Sequence, residues 1–189
     1  MNIVDVHKGR GIFLIEGALS LSECKAQIDH AEAHGFDVAP ITTAQGPKMA
    51  LSIRNNTRVM LDEPERATWL FERLRARLPE QHFGWGLKGL NERLRWYRYG
   101  RGERFNWHYD GSYARSPAER SRLTLMVYLS EDFSGGETSF DLPDGHRTVK
   151  PTTGTVIVFP HNIRHTGAVV TEGRKYVLRT DVMYARRDP

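Results

Sequence analysis

The sequence predicts a mostly β, α+β domain, a β-sandwich or open barrel backed by two helices. Three observations carry this. Two capped amphipathic helix patterns fall within the first 78 residues. From Leu87 onward the apolar pattern shifts to period two or to short unbroken apolar runs, the marks of half-buried and fully buried strands. Gly- and Pro-containing turns separate those runs at short intervals, as in all-β architectures. With 189 residues and 39% hydrophobic content, the chain can bury a core of ordinary size. We read it as a single domain over 1–189, with a helical support in 1–86 and a β core in 87–185.

The elements follow in order. Residues 9–16 form a short apolar strand after a Gly turn. Ser20 caps a helix with Glu23 as its capping-box partner. Leu21, Cys24, Ile28 and Ala31 make its apolar stripe, and Gly35 ends it. Residues 39–49, with Pro40, Gly46 and Pro47, read as a mobile loop. The segment 52–59 is rich in Arg and Asn. Asp62 is expected to cap a second helix through about Leu78, with Pro64 and Glu65 in its first turn. Its inward residues are Ala67, Leu70, Phe71, Leu74 and Leu78. In the run from Leu94 to Tyr99, Arg95, Tyr97 and Tyr99 share one face. Residues 105–110 form the next strand, and residues 111–120 a loop. Leu123 to Leu129 and Val156 to Phe159 are buried strands. Asp144-Gly145 is a hairpin signal, and residues 175–184 form the last strand.

Composition excludes several classes. Cys24 is the only cysteine, so no intrachain disulfide can form. No apolar run approaches a membrane span or a signal peptide, and a cytoplasmic location with no membrane partner is the default expectation. The net charge is +4 and Arg far outnumbers Lys. That suits carboxylates and phosphates, but no long basic run points to nucleic acid.

The most informative stretch is Asn106-Trp107-His108-Tyr109-Asp110. His108 and Asp110 are two apart, so an extended backbone sends both side chains from one face. A histidine and a carboxylate so placed can chelate one divalent cation. A third ligand must come from elsewhere, and His165 is the best candidate. Two His and one carboxylate on one side of a metal make the usual non-haem Fe(II) site. His161 is the rival to His165. His30 and His34 sit at i, i+4 on the first helix but lack an intervening Glu, and we read them as surface residues.

Around these residues the chain resembles the prolyl-4-hydroxylase-like 2-oxoglutarate/Fe(II) dioxygenases. The likeness rests on Tyr99-x-x-Gly102-x-x-Phe105-x-x-His108-x-Asp110, Arg122-x-Thr124-x-x-x-Tyr128-Leu129, Gly135-Gly136-Glu137-Thr138, Gly154 with Phe159, and His165 followed by Gly173-x-Lys175. It spans about residues 90–185. It implies a double-stranded β-helix (a jelly roll, cupin-like) with N-terminal helices packed on one sheet. It implies Fe(II) on His108, Asp110 and His165, with His165 preferred over His161 by motif order. It implies 2-oxoglutarate as cosubstrate and O2 as oxidant, with ascorbate as a candidate reductant. The cosubstrate's far carboxylate is expected to meet a cation on the last strand. Lys175 is the first choice, Arg179 on the same face the second, and Arg174 faces away. Tyr99 and Tyr128 are expected beside it. A retained Asp110 implies hydroxylation rather than halogenation.

The implied reaction is oxidative decarboxylation of 2-oxoglutarate to succinate, coupled to hydroxylation of a small polar molecule or a protein residue. Arg54, Asn55, Arg58, Tyr113, Arg122 and Asp181 are the expected substrate contacts. Asp181 replaces an aromatic residue expected from the resemblance, which weakens a prolyl substrate. The alternatives are a non-catalytic metal-binding jelly-roll module and a nucleic-acid-directed oxidative demethylase. Oligomeric state is not legible.

Overall fold

A computed structural model describes residues 1–43 and 46–186 of the chain. Strands β1 (Asn2–His7) and β2 (Ile12–Glu16) precede α1 (Leu21–His34), and β3 (Thr57–Asp62) precedes α2 (Pro64–Leu74). Then come β4 (Trp85–Leu90), β5 (Arg93–Tyr99), β6 (Phe105–His108), β7 (Glu119–Tyr128), β8 (Thr138–Phe140), β9 (Arg147–Val149), β10 (Val156–Pro160), β11 (His165–Gly167) and β12 (Lys175–Arg186). They form two antiparallel sheets. The large sheet runs β1-β2-β10-β7-β12-β5-β3, with β4 also paired to β12. The small sheet runs β6-β11-β8-β9. The fold is a double-stranded β-helix.

Strict alternation along the large-sheet strands builds two cores. Leu123, Leu125, Val127, Val156, Val158, Leu94, Trp96 and Leu178 point to the helices and bury against Leu70 and Leu74. Their neighbours Tyr128, Ile157, Phe159, Tyr97, Tyr99 and Val177 point inward, toward Phe140 of the small sheet. A period of two thus serves two hydrophobic layers at once. The site lies at the inner layer, between the sheets.

The capping box of α1 is present, with Ser20 Oγ accepting from the Glu23 amide and Glu23 accepting from the Ser20 amide. Its stripe is displaced: Leu21 is exposed and Gln27 is buried with Cys24 and Ala31. The expected cap at Asp62 is replaced by Glu63, because Asp62 still belongs to β3 and its carboxylate pairs with both ends of the Arg93 fork at 2.8 Å. Of the expected inward residues, Ala67, Leu70, Leu74 and Leu78 are buried and Phe71 is partly buried. The α-helix ends at Leu74, followed by a 3-10 turn over Arg75–Arg77, short of the expected Leu78.

Three expectations need correction. Residues 1–86 are not only a helical support, since β1, β2 and β3 extend both sides of the large sheet. The expected loop 111–120 contains a tight hairpin, Ala114–Ser116 paired to the start of β7. The expected loop 39–49 contains the pair Ile41–Thr43 and Gly46–Lys48, while Ala44 and Gln45 lie outside the described residues.

Candidate metal centre and its two chambers

His108 ends β6 and pairs directly with His165 of β11. Asp110 follows beyond the strand end, where its amide donates to the His161 carbonyl at 3.1 Å. The three side chains converge, with one ligand atom from each lying within 4.8 Å of the others. His108 Nε2 is 3.7 Å from Asp110 Oδ1, and His165 Nε2 is 3.5 Å from Asp110 Oδ2.

The surrounding groups prepare these atoms for a cation. His108 Nδ1 lies 2.7 Å from the Asn106 carbonyl and His165 Nδ1 2.9 Å from the Ile163 carbonyl. A carbonyl accepts only, so each Nδ1 carries the proton and each Nε2 keeps its lone pair. Burial, reinforced by His165, pushes His108 down to about 3 against the opposing pull of Asp110. Burial likewise lowers His165. Burial works to raise Asp110, but the charges of Arg179, His165 and His108 outweigh it and hold the carboxyl well below its ordinary range. Two neutral imidazoles and one carboxylate are therefore ready at neutral pH, a donor set that fits a divalent metal.

Behind Asp110 stands a hydrogen-bond chain. Thr124 Oγ1 donates to Asp110 Oδ2 at 2.6 Å and accepts from His161 Nδ1 at 2.9 Å. His161 Nε2 in turn accepts from Ser121 Oγ at 2.9 Å. His161 thus supports the carboxylate from behind and is not part of the triad.

An inner slot opens from the triad toward Lys175. Tyr99, Thr138, Lys175, Val177 and Arg179 line it. Lys175 is buried, and its Nζ donates to the Gly136 carbonyl at 2.6 Å. The Tyr99 and Tyr128 rings lie 5.3 and 5.7 Å from it. Burial lowers the Lys175 ammonium to about 8, with Glu137 pulling the other way. Among the described residues no carboxylate lies within ion-pairing distance of it. A buried ammonium without a counter-anion fits a site built to receive a carboxylate. Tyr128 is satisfied locally, donating to Thr138 Oγ1 at 2.8 Å. The slot is narrow, with a free volume of about 30 Å³. The Gly135-Gly136 pair is required here: a Cβ on Gly135 would lie 2.1 Å from the Val169 carbonyl, and one on Gly136 would press on Lys175 Cδ at 3.2 Å.

Arg179 occupies the other end of the row. Its Nη2 is 3.1 Å from Asp110 and 3.2 Å from Asp181. Arg95 approaches Asp181 from the opposite side at 3.4 Å. Arg174 lies outside the slot, against the Tyr176 hydroxyl at 3.5 Å.

An outer chamber of about 590 Å³ opens on the far side of the triad, and Arg54, Arg58, Tyr113 and Asp181 are among its lining residues. Two expected residues are absent from its lining. Asn55 fastens its own loop instead, donating to the Gly102 carbonyl at 3.2 Å and accepting from the Arg104 amide at 2.7 Å. Arg122 sits at a register shift between Ser121 and Leu123, and its guanidinium stacks over Trp85 at 4.3 Å. Arg95, Tyr97 and Phe105 also line the chamber. The alternation of Arg95, Tyr97 and Tyr99 was the available signal for the first two.

Comparison with known proteins agrees with this architecture. The sequence profile of the 2OG-Fe(II) oxygenase superfamily matches residues 94–180. A PKHD-type hydroxylase of Caulobacter vibrioides is 34% identical over 84 residues, covering 41% of this chain and 37% of the relative. A PKHD-type hydroxylase of Acaryochloris marina is 31% identical over 80 residues, covering 42% and 36%. The chain thus spans little more than a third of the length of these curated relatives. Among solved structures, a Pseudomonas putida prolyl-4-hydroxylase superposes with a TM-score of 0.69 at 19% identity, covering 95% of this chain and 94% of that one. A viral collagen prolyl hydroxylase from Paramecium Bursaria Chlorella virus-1, solved with 2OG, superposes with a TM-score of 0.67 at 25% identity, covering 96% and 99%. Taken with the His-Asp-His convergence, these findings support a prolyl-4-hydroxylase-like 2OG-Fe(II) oxygenase, with the superfamily profile matching a little under half of the chain.

Proposed function

We propose that the chain is a single-domain Fe(II)- and 2-oxoglutarate-dependent dioxygenase that hydroxylates a small molecule or a protein residue. The observation that carries this reading is the pairing of an open-faced His108, Asp110, His165 set with a buried, anion-free Lys175 at the end of the same slot. Bound iron, with 2-oxoglutarate and O2, supplies oxidation of a C–H bond coupled to decarboxylation of the cosubstrate to succinate.

The protein's own groups bind, orient and shield. His108, Asp110 and His165 would hold the metal. Lys175 takes the far carboxylate of the cosubstrate, beside Tyr99. Arg179 is the alternative cation, but two carboxylates already engage it. Phe105 stacks on His108 at 3.4 Å and Phe159 meets His165 edge-on at 4.6 Å, which fixes the imidazole planes and keeps water from their flanks. Substrate enters through the outer chamber, where Arg54, Arg58, Tyr113 and Asp181 select it. A non-catalytic metal module has no use for the buried ammonium of Lys175. Among the described residues no helix is long and apolar enough to cross a membrane.

The test is an anaerobic titration of Fe(II) and 2-oxoglutarate into metal-free protein. A visible metal-to-ligand charge-transfer band is expected with wild type and not with His108→Ala or Asp110→Ala. Metal binding without a band in wild type overturns the reading.

A further inference from the structure

The outer chamber holds more positive charge than the fold neutralises. Arg54, Arg58, Arg95 and Arg179 line it against Asp110 and Asp181. Arg179 and Arg95 are accounted for by the two carboxylates. Arg54 and Arg58 are not. Arg54 is 4% exposed and clamped between the Tyr97 and Phe105 rings, each centroid 4.4 Å from its guanidinium carbon. Its Nε donates to Asn56 Oδ1 at 2.7 Å, while its Nη2 is buried with no partner. Arg58 is half-buried, stands opposite Tyr97 across the β3–β5 ladder, and has no carboxylate within ion-pairing distance among the described residues.

Arg58 also stands opposite Asp37 on its other neighbouring strand, beyond ion-pairing distance, so both guanidiniums lack an anion in contact. A buried charge without a partner is costly, and of the rings flanking Arg54 only the Tyr97 phenol can carry a negative charge: burial works to raise it, but Arg54, Arg179 and Arg95 outweigh this and bring it down to about 8. Burial holds the Arg58 guanidinium below its ordinary value; Tyr97 opposes this, and Arg54 and Arg95 add to it. A cation on the triad would engage Asp110 and leave the chamber more positive still. The guanidinium fork matches a carboxylate in two-point contact. Tyr97, Phe105 and Trp107 add an apolar wall beside it, and the chamber's size suits a compact molecule.

We propose that the substrate is a small carboxylic acid whose carboxylate is held by Arg54 and Arg58 while its body reaches toward the triad. This rests on the dioxygenase reading for the fate of the acid, and only on the chamber for its capture.

The test is calorimetric titration of the metal-free full chain. The probes are the proteinogenic L-amino acids, each as free acid and as carboxamide, together with inorganic phosphate and end-blocked peptides bearing one Asp or Glu. At least one acid is expected to bind tenfold or more tighter than its amide. Arg58→Gln is expected to bring that ratio close to one, as is Arg54→Gln. Arg54 is buried, so its variant can fail to fold; the half-buried Arg58 keeps the test decisive. Acids that bind no better than their amides, or do not bind, overturn the proposal. So does a preference that survives Arg58→Gln, or binding confined to phosphate or to the blocked peptides. No metal or cosubstrate is present, so the result separates cleanly from the iron titration. A charge-transfer band without acid preference removes only the acid subsite. Acid preference without a band removes only the dioxygenase reading.

Discussion

Replacing Lys175 with Met removes the charge and keeps much of the volume, and the two consequences have opposite signs. In the free protein the ammonium is buried against one carbonyl, and its pKa falls from an ordinary 10.5 to about 8. That drop corresponds to ~3 kcal/mol spent on keeping the charge at neutral pH. The folded pKa lies below the unfolded one, so between about pH 8 and 10.5 the unfolded chain binds more protons. Wild-type stability therefore rises with pH across that window and is lowest below it. Lys175→Met escapes the cost but loses the Gly136 hydrogen bond, worth about 1.5–3 kcal/mol for a charged donor. The metal-free mutant is thus expected to match wild type or gain up to about 1.5 kcal/mol at pH 7, at most about 3–6 °C in Tm for a domain of this size. The gain should shrink as pH rises from 8 to 10. Cosubstrate binding should move the other way. Truncating one member of a buried charge pair costs about 2–5 kcal/mol, so the 2-oxoglutarate Kd should rise from roughly 30-fold to several thousand-fold. Thermal unfolding across pH and the anaerobic iron titration read the two effects separately. A Kd within threefold of wild type would refute the carboxylate assignment. A mutant less stable than wild type at pH 7 would refute the account of Lys175 as an uncompensated charge.

Other expectations follow from the same geometry. In wild type, 2-oxoglutarate affinity should fall about tenfold from pH 7 to pH 9, because free Lys175 loses its proton as pH rises through about 8; a flat profile over that range would contradict it. Thr124→Val removes the donor to Asp110 Oδ2 and strands His161 Nδ1, so metal affinity, measured by chelator competition, should drop about tenfold or more. Gly135→Ala places a methyl 2.1 Å from the Val169 carbonyl at a left-handed φ of 73°, and denaturant unfolding should show a loss of about 3 kcal/mol or more. Phe140→Ala opens a cavity in the inner core beside Phe159 and should cost about 3–5 kcal/mol.

The triad was legible because its chemistry is dense in sequence. His108 and Asp110 are adjacent on one extended face, and His165 sits where the motif order places it. Lys175 and Arg179 were legible for the same reason, since a period of two along one strand assigns both to the interior. What escaped was set by contacts between distant segments. Arg122 looks like a cavity residue until the irregular register beside it turns it toward Trp85, and nothing local announces such a shift. Asn55 resembles a recognition residue, but it ties its loop to Gly102 and Arg104, some 50 positions away. Arg95 was visible on the right face, yet its value depends on Asp181 opposite, a partner that only the folded sheet supplies. The first 86 residues concealed β1, which is largely exposed and carries little apolar signal, and β3, whose start falls in the polar segment 52–59, whereas β2 lies within the strand expected over 9–16.

The row along β12 has a further consequence. Lys175, Arg179 and Asp181 stand on one rigid strand, and Lys175 and Asp181 are separated by about 20 Å of backbone at ~3.4 Å per residue. On the proposed reading the strand acts as a ruler, with the cosubstrate at one end and the substrate at the other. Deleting one residue between them would turn every later mark to the wrong side. Exchanging side chains at the Asp181 end alone leaves the Lys175 end in register. New substrates can thus be sought by rewriting one end of the ruler without recalibrating the other.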